Sequence, residues 1–326
     1  MKLLRRKFLH LAVGAVALSA ISHVARAQTY PAHPVRLISD FAAGAAGDVR
    51  ERILAEGLSR VWGQQAVVIN QPGAGGAIAA RAAANAPPDG YSLGMLSLSA
   101  FVAVPGAADN LPVQVPRDFA PIGYLSGDTM YITAASWLGV KTLPELIARA
   151  KQRPGKLAYG TNGPGRLTDL TGRLLQKEAG IELQMVPYSG GTAQVLNDIM
   201  GKRIQLTFDA YSGLAGAIKA GTIVPLAVAS PKRLAESPDV PTVAETLPGF
   251  EAGGWQVLVA PVGTPDSIVA KINTNLIEAL SNPEIRKRLA DLGADERLLS
   301  PAETLAFIQR EQKKWEPIVA QVPSTR

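Results

Sequence analysis

The residues best suited to chemistry in this chain are glycines, not nucleophiles or bases. Asp40-Phe-Ala-Ala-Gly44-Ala-Ala-Gly47-Asp48 follows an apolar run, Val35 to Ser39, and leads into a helix-like run. Asn70-Gln-Pro-Gly-Ala-Gly-Gly76 follows Ala66 to Ile69 in the same way, and Pro88-Asp-Gly-Tyr91 closes the segment. Glycine-rich strand-to-helix turns expose backbone N–H groups at a helix N-terminus, and such a nest favours an anion. The chemistry this pattern offers is non-covalent capture of a small anionic ligand.

Covalent chemistry is short of material. The chain has no cysteine, so disulfides, zinc–thiolate sites, lipobox anchoring and thiol catalysis are excluded. Of its three histidines, His10 and His23 lie in the leader described below, and His33 sits between Pro31 and Pro34 in an N-terminal arm. A Ser–His triad or a multi-histidine metal site therefore has almost nothing to draw on. Two enzymatic readings stay open. One is a hydrolase or isomerase acting on a carboxylate, with Asp48 or Asp209 as an unaided base. The other is a dinucleotide site at Gly73-Ala-Gly-Gly-Ala-Ile-Ala79. Its spacing is wrong for the Gly-x-Gly-x-x-Gly fingerprint, and the next acid, Asp89, lies in a Pro-Asp-Gly turn.

The first residues address the chain. Met1 to Lys7 is basic, Phe8 to Ile21 is apolar, and Ala25-Arg26-Ala27 has a small-x-small cleavage pattern. This reads as a signal peptide cut after Ala27, and hence as export to the periplasm. A retained anchor is the alternative. Arg5-Arg6-Lys7-Phe8-Leu9 also fits a twin-arginine core, so both export routes remain open. Cleavage leaves 299 of the 326 residues. Lys2, Arg5, Arg6, Lys7 and Arg26 leave with the leader, and the formal net charge falls from +6 to +1. The basicity belongs to targeting and predicts no nucleic-acid partner.

The elements that must position the glycine loops alternate between strand and helix. Val35–Ser39, Ala66–Ile69 and Ser92–Leu98 read as strands, and Asp48–Trp62 as a helix with Val49, Ile53, Leu54, Leu58 and Val61 at helical spacing. Ala120–Ala135 reads as two strand-like stretches around Gly127 and Asp128. The alternation resumes with strands Leu157–Thr161, Leu183–Val186, Ile204–Phe208 and Val224–Ser230, separated by helices, and ends with helices Ser267–Leu280, Pro283–Leu292 and Pro301–Val319. No internal repeat is visible. The expected fold class is α/β, with two lobes of mainly parallel sheet. The chain is expected to cross between them near Tyr124–Tyr131 and Gly249–Val257. One lobe would be discontinuous, 28–127 plus 252–326, and the other would span 128–251. Ligands of such folds bind in the cleft at the carboxyl ends of the strands.

With these motifs in order, the chain resembles the Bug-type periplasmic solute receptors, the extracytoplasmic component of tripartite tricarboxylate transporters. The resemblance is carried by Tyr30-Pro31…Pro34-Val-Arg36-Leu, Phe41-Ala-Ala-Gly44…Asp48, Asn70-Gln-Pro-Gly-Ala-Gly-Gly76, Pro88-Asp-Gly-Tyr91 and Asp118-Phe-Ala-Pro121. It continues through Pro154-Gly-Lys-Leu-Ala-Tyr-Gly160, Val186-Pro-Tyr188, Phe208-Asp209, Asp239-Val-Pro-Thr-Val-Ala-Glu245, Pro248-Gly-Phe250, Trp255 and Gly263-Thr-Pro265. It implies a periplasmic-binding-protein (Venus flytrap) fold with two hinge crossings. It further implies a monomer without cofactor, metal or catalysis, handing a small carboxylate (an organic acid or an amino acid) to membrane components of the transporter. A receptor that feeds a signalling partner is the variant that sequence cannot separate.

The resemblance also implies the ligand contacts. One jaw would be Phe41, Ala43, Gly44, Ala45, Gly47, Asp48 and Ser97; the other would be Gly163, Gly165, Arg166, Tyr188, Gly190, Gly191 and Asp209. Backbone donors suit a carboxylate without a buried cation. Asp48 would repel an anion, so capping its helix, ordering the loop or holding a water suits it better than direct contact. Asp209 could accept from a ligand amine or hydroxyl, or bond within its lobe. Trp255 is expected to pack at the hinge or line the pocket mouth. The chain departs from the family in the loop Asn162-Gly-Pro-Gly-Arg166-Leu-Thr-Asp169: Arg166 replaces a small hydroxyl residue, Asp169 a histidine, and Ala210 a frequent asparagine. Arg166 could clamp a second carboxylate or snorkel to solvent. On this reading ligand identity rests on Arg166 and Asp169.

Overall fold

The computed structural model describes residues 30–102, 115–188, 191–234 and 237–322. The leader and Gly190 lie outside the described residues. Among those residues no helix is long and apolar enough to cross a membrane.

The chain runs β1 (Val35–Ser39), α1 (Ala46–Trp62), β2 (Ala66–Asn70), α2 (Ala77–Ala84), β3 (Ser92–Ser97), α3 (Leu98–Phe101) and β4 (Phe119–Ala135). It continues through α4 (Leu143–Gln152), β5 (Ala158–Thr161), α5 (Leu167–Ala179), β6 (Gln184–Pro187), α6 (Gly191–Met200), β7 (Leu206–Ala210), α7 (Tyr211–Lys219) and β8 (Ile223–Val228). It closes with β9 (Gly253–Pro261), α8 (Asp266–Ser281), α9 (Pro283–Ala290), β10 (Ala294–Asp295) and α10 (Pro301–Val319). Local signals explain most boundaries. Gly63, at φ 63°, ends α1 in the left-handed region that favours glycine. Ser300 and Glu303 form a capping box at the start of α10, with Pro301 in its first turn. The apolar stripe of α1 buries Ile53, Leu54 and Leu58 against α8 and the sheet, whereas Val49 is exposed.

The sheet order is β2-β1-β3-β9-β4-β7-β5-β6, with β8 and β10 also pairing with β4. In each half three strands run parallel, and β4 or β9 joins them antiparallel. The two strand-like stretches expected over 120–135 are one strand of 17 residues, which changes partners rather than ending. Its first part, to Thr129, pairs with β9; from Met130 onward it pairs with β7 and from Tyr131 with β8. Ala252–Gly254 runs beside it at the change-over, where Met130 N–H donates to Ala252 O at 3.2 Å and Ala252 N–H to Ala229 O at 2.9 Å. One core cluster spans both sides of this point, from Phe119 and Trp255 to Leu206 and Phe208, and Phe307 and Trp315 of α10 close it.

Backbones at the change-over are too close for side chains. A Cβ on Gly127 would collide with the Tyr124 hydroxyl and the Asp295 carboxylate and sit 2.8 Å from Gly254 O; one on Gly253 would collide with Asp128 O. Glycine in a strand interior marks such an approach. Gly127→Ala is expected to destabilise the protein by about 2 kcal/mol through forced backbone shifts, read from the urea midpoint at unchanged slope. An unaltered midpoint would refute the tight contact.

Candidate functional site

A cavity of about 650 Å³ opens at the carboxyl ends of the parallel strands. Its walls come from the loops after β1, β3, β5 and β6, from the end of β7, and from the β4–β9 pair. This is where open α/β sheets bind ligands. Of the residues expected to hold ligand, Phe41, Ser97, Gly165, Arg166, Tyr188, Gly191 and Asp209 line it. Ala43, Gly44, Ala45, Gly47, Asp48 and Gly163 are not in its wall.

Asp48 is buried, and its bonds explain what it does. One oxygen accepts from Gly44 N–H at 2.8 Å and Arg52 Nε at 2.9 Å; the other accepts from Asn70 Nδ2 at 2.7 Å. Burial pushes its carboxyl up, but the bonds from Arg52, Asn70 and Gly44 outweigh that and hold it below the usual carboxylate range. It orders the glycine loop from beneath.

The facing loop repeats the device. Asp169 is fully buried, accepting from Gly165 N–H at 2.9 Å, Arg173 Nε at 2.9 Å and Tyr159 Oη at 3.0 Å. Gly44…Asp48…Arg52 and Gly165…Asp169…Arg173 thus share one spacing, four residues and four residues. In both, the acid is the third residue of its helix, the glycine has a left-handed φ (82° and 71°), and the residue before the helix is extended with no side-chain cap. The shared Gly-x3-Asp-x3-Arg spacing was legible in the sequence, although the strands before it differ. The expectation that Asp169 helps choose the ligand is corrected. Its carboxylate is buried, bonded to Gly165, Arg173 and Tyr159, and does not line the cavity.

Arg166 precedes α5 at the cavity wall, exposed, and among the described residues it has no hydrogen-bonded or ionic side-chain partner. Asp209 also faces the cavity. It accepts from Thr192 Oγ1 and, at 2.8 Å, from Ala210 N–H, while burial raises its carboxyl above the usual range. Trp255 combines both roles considered for it: its ring stacks on Phe101 at 5.5 Å, Nε1 donates to Glu311 at 3.0 Å, and one face lines the cavity.

Sequence reading did not show how several wall residues pair. Arg50 on α1 makes a two-pronged ion pair with Asp128 of β4, the longer arm 2.9 Å. Ser97 donates through Oγ to Asp40 at 2.6 Å and through N–H at 3.0 Å, yet burial still pushes Asp40 up to about 6. Ser126 and Gln256 bond to each other at 2.9 Å. Ser97 was an expected contact, Asp40 opens the glycine-rich loop, and Ser126, Asp128 and Gln256 lie within the expected crossings, 124–131 and 249–257. Their pairings join residues far apart in the chain. Among the described residues no acidic or histidine cluster could hold a metal.

The cavity, the α/β lobes and the strand-end loops define a two-lobed solute-binding protein of the periplasmic type. Residues 51–323 match the tripartite tricarboxylate transporter family receptors, and the chain belongs to that family. It is similar to the protein BugT of Bordetella pertussis, with 33% identity over 306 residues covering 93% of this chain and 94% of BugT. Among solved structures it resembles a protein of R. palustris determined with adipate, at TM-score 0.74 and 30% identity over 90% of this chain and 99% of that one. It also resembles MatC of Rhodopseudomonas palustris with bound malate, at TM-score 0.70 and 29% identity over 89% of this chain and 100% of that one. The family is one of receptors, not enzymes, and a solved structure at 32% identity, that of BugD, is of a periplasmic binding protein.

Asp169→Ala strands Arg173 in a partly buried site and is expected to cost about 3 kcal/mol. Asp48→Ala, whose Arg52 partner is half exposed, is expected to cost about 1 kcal/mol. Urea unfolding of both variants measures this, and equal costs would refute the ranking. Because the Asp48 carboxyl is held low in the fold, its stabilisation is complete above the unfolded value of about 4 and is lost as pH falls toward the folded value. Wild type and Asp48→Asn should therefore converge in stability only below pH of about 4.

Proposed function

We propose that this protein is a periplasmic receptor that closes on a small carboxylate, an organic acid or an amino acid, and delivers it to the membrane components of a tripartite tricarboxylate-type transporter. The observation that carries the reading is the cavity itself. It lies at strand ends, between two carboxylate-tied glycine loops, with an unpaired guanidinium at its wall, in a chain whose solved relatives hold adipate and malate. The lobes are 28–127 with 252–326, and 128–251, supported by the change of partners along β4 and the start of β9 at Gly253. The chain acts as a monomer, with its leader cut after Ala27.

Closure follows from differential affinity. A ligand that touches both jaws binds the closed form more tightly and shifts the population toward it. Closure also removes water, which strengthens each charge-assisted bond to the carboxylate. Phe41 and Ser97 contact the ligand from one jaw, with Ala43, Gly44, Ala45, Gly47 and Asp48 shaping their loop. Arg166, Tyr188, Gly191 and Asp209 meet it from the other, with Gly163, Gly165 and Gly190 in their loops.

A thermal-shift panel of mono-, di- and tricarboxylates, amino acids and aromatic acids tests the reading. At least one carboxylate should raise the melting temperature and compact the protein in small-angle scattering; compaction by none refutes closure. Arg166 is read as the clamp for a second carboxylate. Dicarboxylates should then bind about tenfold more tightly than matched monocarboxylates, one charge-assisted bond's worth, and Arg166→Ala should erase that preference in calorimetry.

A further inference from the structure

Glu51 is a buried acid that the function described above does not use. It lies on α1, one residue from Arg50, and its side chain is wholly shielded from solvent. Oε1 accepts from Gln256 Nε2 at 2.8 Å, while Oε2 is buried without a hydrogen-bond partner. Gln256 Oε1 in turn accepts from Ser126 Oγ at 2.9 Å, and both Ser126 and Gln256 line the cavity. Glu51 therefore supports a stretch of cavity wall from behind.

The surroundings offer its charge no free counter-ion. Asp40 at the end of β1 and Asp48 on its own helix are both acidic, and both raise its proton affinity. Ser39 of β1 and Gln256 of β9 are neutral groups whose hydrogen bonds favour the charged form, but they do not offset burial. The neighbouring cations are taken, Arg50 by Asp128 of β4 and Arg52 by Asp48. An ionised carboxylate without a counter-ion in such a place is costly, and the group keeps its proton instead. Burial, more than the two neighbouring acids, pushes Glu51 up to about 8.

We propose that Glu51 is a positioning residue for ligand capture: as a neutral acid it holds the Gln256–Ser126 wall in place, and once ionised it opposes an anion in the cavity. This rests on the carboxylate-receptor reading. The opposition is electrostatic: a buried negative charge behind the wall repels a ligand carboxylate across a poorly screened interior. Capture is then linked to one proton, and affinity declines as pH rises through the value at which Glu51 ionises.

Malate and adipate serve as probes, with calorimetric Kd values at pH 6, 7, 8 and 9 for wild type, Glu51→Gln and Glu51→Ala. Both probes are fully ionised above pH 7, so their own titration adds little there. Wild type should bind about tenfold more weakly at pH 9 than at pH 7, the loss expected when ionisation near 8 abolishes binding. Glu51→Gln, a fixed neutral isostere, should match wild type at pH 7 and lose the pH dependence. Glu51→Ala should bind weakly at every pH. Infrared titration gives a reading without ligand: a neutral carboxylic acid band at pH 7 that Glu51→Gln removes. Absence of that band, or parallel pH profiles in wild type and Glu51→Gln, overturns the proposal while leaving the receptor reading intact. Failure of every carboxylate in the thermal-shift panel overturns the receptor reading, and this proposal with it.

Discussion

The structure depends on the close backbone pairing of β4 with the start of β9. There β4 passes from one half of the sheet to the other without a break, and Gly127 and Gly253 let the two chains meet at a distance that no side chain would permit. Both halves borrow their antiparallel strands from this one place. The cavity wall is built directly on it, through Ser126, Asp128, Gly254, Trp255 and Gln256. On the proposed function, closure would pass through backbone that is already tightly packed, which favours a few discrete arrangements over continuous flexing.

Above that seam the two jaws are organised alike. Each presents a loop whose glycine N–H is held by a buried aspartate three residues into the following helix, and each aspartate is neutralised by an arginine one turn later. An acid is favourable in the first turn of a helix, and here it also removes the freedom of the loop in front. Both carboxylates are consumed by the scaffold, so neither repels an incoming anion. The differences between the jaws lie in what is left over: Ser97, tied to Asp40, on one side, and the unpaired Arg166 on the other. On the proposed function, specificity falls to these few groups.

Much was legible in the order of residues. The alternation of strands and helices, the caps at Gly63 and Ser300, and the glycine turns at Gly44 and Gly165 follow from local preferences that act over a few residues. The shared Gly-x3-Asp-x3-Arg spacing was also present in the sequence, but its meaning was hidden. Asp169 could be a ligand contact or a loop tie, and only burial and hydrogen-bond geometry distinguish the two. The strand over 119–135 misled for a related reason. Gly127 and Asp128 carry turn-forming preferences, and β9 overrides them by supplying a strand partner at that position.

The sequence by itself determined the absence of thiol and histidine chemistry, the α/β class, the order of the elements and the family. The first three rest on composition, or on periodicities that repeat within a helix or a strand; the family rests on motifs in a fixed order along the chain. The tertiary structure alone decided which acids are spent and which face the cavity. Asp48 and Asp169 are bound from within their own loops, Asp128 is paired with Arg50 across the fold, and Glu51 is sealed behind Gln256, 205 positions further along the chain. A carboxylate's character is set by desolvation and by its partners. Those partners are brought together by strand pairing between distant segments, which no local pattern encodes.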